Sequence, residues 1–480
     1  MDEKVNTEPR VSQATLDTIS PSFCAAKWYN ASIHLGSGET SSCHLPLPHP
    51  INVDQLKTNP SAIHNTDHKK NMRKMMLTGI KPAECSYCWK IEDMQRGNPS
   101  DRIFKSRQYT IEDVNALQHT PWDADINLKT LEISFDRQCN FACSYCNAGY
   151  SSTWAQELET HGAYQNFSDG SGGGAYQSDG SWAESNGKHL ENNPYIDAFF
   201  EWWPTLVTTL YQLRITGGEA SVSQNFWRFI DILHKSDARN MRFAVNTNLG
   251  MSPKALEKII GITKTLPIKE FDLYTSNESY GLHAEYIRDG LQYEIWRSNL
   301  ITFIENAKFR AVTIMMTINN LCLCSIVDFL DDMMEIKAKH GRHRPNLSLN
   351  MLRWPAFMSP LTLPDDLKNQ LRGKLQTWYD NNQHSKLFAP SEMNQIQRLL
   401  DYIEVVKKGH AFVPDDKRAL FCDFKSFFTQ YDIRRSKEFV TTFPGMAEWY
   451  NAITVPTVFP ISVLGSVVSR PFETGQYVAG

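Results

Sequence analysis

No stretch of eighteen consecutive apolar residues occurs in this 480-residue chain, so none of it reads as a membrane-spanning helix. A basic-then-apolar leader is missing from its start, and neither charge is in excess: 49 Lys and Arg stand against 53 Asp and Glu, a net −4. That balance leaves no electrostatic footprint for nucleic acid. The reading is a soluble, cytoplasmic protein with no membrane partner, and the charge balance counts against a nucleic-acid partner without excluding an RNA substrate. Ten cysteines in a chain of this length, several of them tightly spaced, fit metal ligation in a reducing compartment better than a secreted disulfide framework.

The tightest cysteine group itself lacks a ligand. Cys139-Asn-Phe-Ala-Cys143-Ser-Tyr-Cys146 carries three thiols in a C-x3-C-x2-C pattern. It follows Leu131-Glu-Ile-Ser-Phe-Asp136, whose alternation puts Leu131, Ile133 and Phe135 on one face of a strand. Beyond it, Ser151-Ser-Thr-Trp-Ala-Gln156 offers hydroxyl caps for a helix, including a Thr153-x-x-Gln156 capping box. Three thiolates cannot close the four-ligand shell of structural zinc or of an ordinary cubane. Buried thiols or zinc with a distant fourth ligand remain open alternatives to a [4Fe–4S] cluster with one iron free for a small chelating ligand.

A second strand, Tyr211 to Thr216, runs into Gly217-Gly218-Glu219, and Ser223 caps a helix with Phe226, Phe229, Ile230 and Leu233 at apolar spacing. Four further strands are expected at Arg242 to Asn246, Glu270 to Ser276, Ala311 to Ile318 and Leu347 to Leu352, each ending in polar residues. Strands alternating with helices, polar groups at the strand C-termini, describe an α/β fold with its site at that end.

The C-x3-C-x2-C loop after a strand and Gly-Gly-Glu after the next together resemble the radical S-adenosylmethionine (radical SAM) enzymes. The resemblance implies a partial (β/α)6 barrel, a catalytic [4Fe–4S] cluster on Cys139, Cys143 and Cys146, and S-adenosylmethionine bound to the open iron. Reductive cleavage then yields a 5′-deoxyadenosyl radical that takes hydrogen from a substrate. It further implies that Gly217, Gly218 and Glu219 receive the cofactor's amino group and that Arg288 reaches its carboxylate. Asn246 and Ser276 would meet the ribose, and Tyr145 and Leu352 the adenine. Ala220 stands where the family usually has proline.

Ahead of this lies Cys24-x3-Trp28, an alternating Tyr29-x-Ala31-x-Ile33, a Gly36-Ser-Gly38 turn and Cys43, read as a hairpin with a cysteine at each end. A basic run from His68 to Lys74, read as a solvated helix face, leads to Pro82-Ala-Glu-Cys85-Ser-Tyr-Cys88. Four thiolates can close a shell, as a zinc ribbon or as an auxiliary iron–sulfur cluster. With Arg102 and Arg107 behind it, the region resembles the Twitch or SPASM-type cluster domain, which implies an auxiliary [4Fe–4S] cluster on Cys24, Cys43, Cys85 and Cys88.

The expected organisation is a mobile N-terminus (1–20), the auxiliary-cluster domain and linker (21–128), the barrel (129–364) and a C-terminal extension (365–480). The barrel carries a Gly/Ser-rich insertion (161–194) too polar to form a core, and the extension is helical with an apolar tail. Leu367, Leu371 and Leu375, then Ile396, Leu399, Leu400 and Ile403, mark the helices. Glu285-Tyr-Ile-Arg288, Trp296, Asn299-Leu300, Tyr431-Asp-Ile-Arg434 and Phe443-Pro444 extend the resemblance, while Cys322, Cys324 and Cys422 have no fourth partner and read as core or unreactive thiols. The family points to a peptide or protein substrate and an external flavodoxin- or ferredoxin-like electron donor. RNA or small-molecule modification, and a non-catalytic metal-binding adaptor, are the rival functions.

Overall fold

The computed structural model describes residues 11–94, 99–168, 174–177, 192–404 and 416–455. Its strands are β1 (Asn30–His34), β2 (Glu39–Ser41), β3 (His49–Pro50), β4 (Thr130–Ser134), β5 (Ala142–Cys143), β6 (Gln212–Thr216), β7 (Ala238–Thr247), β8 (Ile268–Ser276), β9 (Arg288–Asp289), β10 (Ala311–Ile318) and β11 (Asn346–Met351). Nine of them form one sheet in the order β11-β10-β8-β7-β6-β4-β1-β2-β3, and β5 pairs with β9.

All six strands expected for the core are present, adjacent and parallel, and their sheet order follows the chain. Alternation builds the face that holds them together. In β4, Leu131 and Ile133 are buried while Glu132 and Ser134 are partly exposed. Phe135 continues the buried side, its ring 5.6 Å from Phe199 and 5.8 Å from Phe229 on the helices Pro194–Leu206 and Gln224–Leu233. The opposite face carries charge: Arg242 bonds Glu270 across strands at 3.1 Å, and Arg214 bonds Asn246 at 2.8 Å. Helix starts follow the expected chemistry at Ser223, whose hydroxyl accepts the Phe226 N–H.

The N-terminal hairpin does not stand apart. β1 pairs in parallel with β4, from Asn30 opposite Thr130 to His34 opposite Ser134, so the hairpin extends the same sheet. Its own small core holds Phe23, Trp28, Trp89 and Val114. Residues 11–20, expected to be mobile, include a helix at Gln13–Asp17 with Val11 and Leu16 buried in that core. The basic run is solvated on one side only: His68 and Lys74 are exposed, while Lys69 and Arg73 are fully buried. Arg73 donates to the carbonyls of Lys27 and Ala124 and to Asn65 Oδ1, and Lys69 donates to Thr40 Oγ1 at 2.8 Å. These side chains tie separate loops together by satisfying their carbonyls and hydroxyls.

The described parts of the insertion bury more than its composition suggested. Tyr164 and Tyr176 are buried and linked by a backbone bond of 2.8 Å; Tyr164 stacks on Phe427 of the helix Arg418–Arg435 at 5.0 Å and Tyr176 meets the same ring edge-on at 4.9 Å. Gln165 and Gln430 exchange two hydrogen bonds, and Arg434 donates to the Gly162 carbonyl. Gly172 and Gly173 lie outside the described residues, as do Pro456, Pro460 and Pro471 of the apolar tail. The C-terminal segment is helical at Asp365–Asn382, Pro390–Glu404 and Arg418–Arg435. Buried Glu392 anchors it, accepting from Lys337 at 2.9 Å and from the Leu347 N–H at 2.7 Å.

Candidate functional site

The cysteine loop leaves β4 and is framed from outside. Its carbonyls are taken up one after another: Phe141 by the Ser151 hydroxyl (2.7 Å), Cys139 by Thr153 (2.6 Å), Cys143 by the Trp154 indole (2.9 Å) and Ser144 by Tyr176 (3.2 Å). Ser152 accepts the Cys139 N–H at 3.1 Å. The hydroxyl run expected to cap a helix therefore also buckles the loop. The cap is Ser151, which accepts the Trp154 N–H, and the helix starts at Ser152, so Thr153 opens no capping box. With its backbone bonds satisfied, the loop presents Cys139, Cys143 and Cys146, all free and half-buried, beside the N-terminus of a ten-residue helix, which favours negative charge.

Gly217-Gly218-Glu219 docks on the entrance to this loop. The Glu219 N–H donates to the Gln138 carbonyl at 2.6 Å, one residue before Cys139. A Cβ on Gly218 would lie 2.2 Å from that carbonyl oxygen. One on Gly217, at φ +126°, would come within 2.9 Å of the Asp136 carbonyl oxygen. The close approach that requires these glycines is to the loop's own backbone. The Glu219 carboxylate is buried; Oε1 accepts from Ser221 N, Ser221 Oγ (2.7 Å) and Thr247 Oγ1 (2.7 Å), and Oε2 accepts the Asn248 N–H at 2.6 Å. Burial pushes its pKa up while these donors pull it down.

On the other side, β5 pairs with β9 so that Cys143 faces Arg288. Arg288 Nε and Nη2 both donate to Glu278 Oε2, at 3.0 and 2.6 Å, and Nη1 points at the Cys143 sulfur from 3.8 Å. Its fork is directed at these two groups, where the sequence suggested a cofactor carboxylate. Tyr145 donates to Glu278 Oε1 at 3.0 Å, with the guanidinium 5.5 Å from its ring centre. Asn246 is engaged by Arg214, Ser276 ends β8 opposite Met315, and the Leu352 N–H donates to Ile318. Sequence reasoning placed Glu278 among the polar residues at a strand end but gave it no role; it is fully buried. Its signal was position, since it is a carboxylate two residues past the end of a core strand, where site loops begin.

A second thiol group forms independently. Cys24, Cys43, Cys85 and Cys88 line one cavity of about 350 Å³, counting its open mouth, together with Lys27, Arg102 and Lys105. Lys27 pairs with Glu84, and Arg102 bonds Glu92 at 2.9 Å and the Phe23 carbonyl at 2.8 Å. Arg107 caps the C-terminus of the helix Asp101–Ser106. Cys322 is buried against Asn319, Cys324 contacts Met446, and Cys422 contacts the Thr454 carbonyl.

Among the described residues no three His, Cys, Asp or Glu side chains are arranged to hold a metal ion. The fit to metal rests on the donor sets. One ion needs its donors around one point, whereas a cubane carries its thiolates on separate corners. Burial pushes the Cys139 and Cys85 thiols up to about 12. Such groups stay protonated unless a metal replaces the proton. Three thiols on one loop, and four around one cation-rimmed cavity, fit iron–sulfur ligation.

The sequence matches no protein-family model and no curated protein sequence. Among solved structures it is similar to the crystal structure of Streptococcus suis SuiB, with TM-score 0.32 and 12% identity over 68% of this chain and 64% of that one. The structure of SuiB bound to S-adenosylmethionine has the same TM-score and identity, over 66% and 64%. The chain thus spans less than two thirds of the length of these structures, and a likeness this weak says nothing of what it binds. Among the described residues no helix is long and apolar enough to cross a membrane.

Proposed function

We propose that the chain is a radical SAM enzyme whose six central β/α units form the partial barrel of that family. The observation that carries the reading is the docking of Gly217-Gly218-Glu219 onto the base of a rigidly framed three-thiol loop, through the 2.6 Å bond from Glu219 N–H to Gln138. Cys139, Cys143 and Cys146 would hold a [4Fe–4S] cluster with one open iron. Such a cluster and S-adenosylmethionine, given one electron from a flavodoxin- or ferredoxin-like donor, supply methionine and a 5′-deoxyadenosyl radical that becomes 5′-deoxyadenosine on taking a substrate hydrogen.

This chain's own residues do the holding. Ser151, Thr153 and Trp154 fix the loop backbone, so the sulfurs need not be ordered when metal binds. Glu219 keeps an acceptor position on Oε2 beside the Asn248 N–H, suited to an ammonium. Four thiols in the N-terminal cavity would hold an auxiliary [4Fe–4S] cluster, with Lys27, Arg102 and Lys105 offsetting its negative charge. We infer a cytoplasmic setting and a peptide or protein substrate.

The test is anaerobic turnover of reconstituted protein with dithionite and S-adenosylmethionine. Slow formation of 5′-deoxyadenosine is expected, and none from the Cys139→Ala/Cys143→Ala/Cys146→Ala variant. Equal cleavage by that variant overturns the reading.

A further inference from the structure

We propose that Arg288 is a positioning residue that holds the Cys143 sulfur and, with Glu278 as its counter-charge, sets the reduction potential of the cluster on that thiolate. The inference rests on the cysteine loop being a cluster site.

The geometry fixes the guanidinium from two directions. The β5–β9 pairing places Arg288 opposite Cys143, and the Ser144 N–H donates to the Ile287 carbonyl at 2.7 Å, so the two segments are joined backbone to backbone. Glu278, fully buried, takes two of the fork's nitrogens on one oxygen, and its other oxygen accepts from Tyr145 at 3.0 Å and Asn319 at 3.5 Å. Nη1 is left aimed at sulfur. A charged pair this deeply buried is costly unless fully satisfied. Here every member contacts the cysteine loop or the group that holds it.

Reduction adds negative charge to an iron–sulfur cluster, and hydrogen bonds to its sulfurs stabilise the reduced state. An Nη–H···S contact therefore raises the potential, and the Glu278 carboxylate opposes it. Glu278→Gln removes the opposing charge and leaves the donor, which predicts an upward shift. Arg288→Met/Glu278→Gln keeps the pair's net charge at zero but removes the donor, which predicts a downward shift. Opposite movements separate this role from simple support of the fold, which would lower iron content without shifting the two variants apart.

The experiment is an anaerobic redox titration followed by electron paramagnetic resonance, with iron counted in parallel. The signal of interest is the one absent from the Cys139/Cys143/Cys146 triple variant. An upward shift in Glu278→Gln and a downward one in the double variant support the inference; unmoved or same-direction potentials overturn it. If the double variant retains no iron, Glu278→Gln decides: its potential must rise while its iron content stays parental, and an unmoved or lowered potential overturns the inference. A parent protein whose signal survives the triple substitution overturns both this inference and the cluster reading.

Discussion

Replacing Glu219 by Gln preserves shape and removes one charge, and the structure says where the damage falls. Three of the four donors meet Oε1, which the amide oxygen can replace. The amide nitrogen then faces the Asn248 N–H, now bonded to Oε2 at 2.6 Å, so donor meets donor. Turning the amide over is worse, because the Ser221 N–H would lose its acceptor. One hydrogen bond to a charged acceptor is lost, about 1.5–3 kcal/mol, and a buried N–H is left unpaired. Amide exchange at Asn248 and Leu249 should accelerate roughly ten- to a hundredfold if opening is local. Affinity for S-adenosylmethionine, measured anaerobically on reconstituted protein, should fall by a similar factor because the same Oε2 is the proposed ammonium acceptor. Iron content should hold. Unchanged exchange refutes the hydrogen-bond argument; faster exchange with parental affinity makes Glu219 a support for β7 and removes it from the cofactor site.

Reconstituted protein should hold about eight irons per chain and the Cys139/Cys143/Cys146 variant about four, if both groups are cubanes; about one zinc with almost no iron in the variant would make the N-terminal site a zinc site. Gly218→Ala places a Cβ 2.2 Å from the Gln138 carbonyl oxygen, so the turn must lift from the loop; a loss of about 1–3 kcal/mol in denaturant unfolding and faster iron loss are expected, and parental behaviour would refute the close approach. His49 is held down to about 3, first by burial and then by Lys69. A depressed histidine leaves the unfolded chain binding the extra proton below its ordinary pKa near 6.5, so this stabilisation is complete above that pH and is lost as pH falls toward 3. At pH 5 His49 alone costs about 2 kcal/mol. Limited proteolysis of the metal-free N-terminal region should therefore quicken from pH 7 to 5, and less so in His49→Gln.

The six core strands were legible because each buries one face, and alternation such as Leu131, Ile133, Phe135 records that directly. The cysteine loop and Gly-Gly-Glu were legible as patterns, but the reason for the glycines was not: the backbone they approach belongs to Asp136 to Gln138. Pairing of β1 with β4 joins residues 100 apart, and nothing in a five-residue strand names its distant partner. Lys69 and Arg73 misled for a related reason. A helix face rich in cations reads as solvated unless the carbonyls and hydroxyls it will meet, at Lys27, Thr40 and Ala124, are known to lie against it. Glu278 was within reach as a carboxylate just past a strand end, but its role depends on Arg288, which only the β5–β9 pairing brings to Cys143.

The two thiol groups also differ in the charge around them, and on the proposed reading that difference has a direction. At the loop, Arg288 is cancelled by Glu278, while Glu219 adds negative charge near Cys139. At the N-terminal cavity, Glu84 balances Lys27, and Glu92 and Asp17 balance Arg102. Lys105 also lines the cavity with no carboxylate in ion-pair contact among the described residues; burial pushes the Cys43 thiol up, while Lys27 and Lys105 pull it down. Cations beside these thiols favour their charged, metal-binding form. The same excess stabilises a reduced cluster there, whereas the loop offers none. Of two otherwise similar clusters, the N-terminal one then accepts an electron first, and the loop cluster remains the stronger reductant, as breaking a carbon–sulfur bond requires.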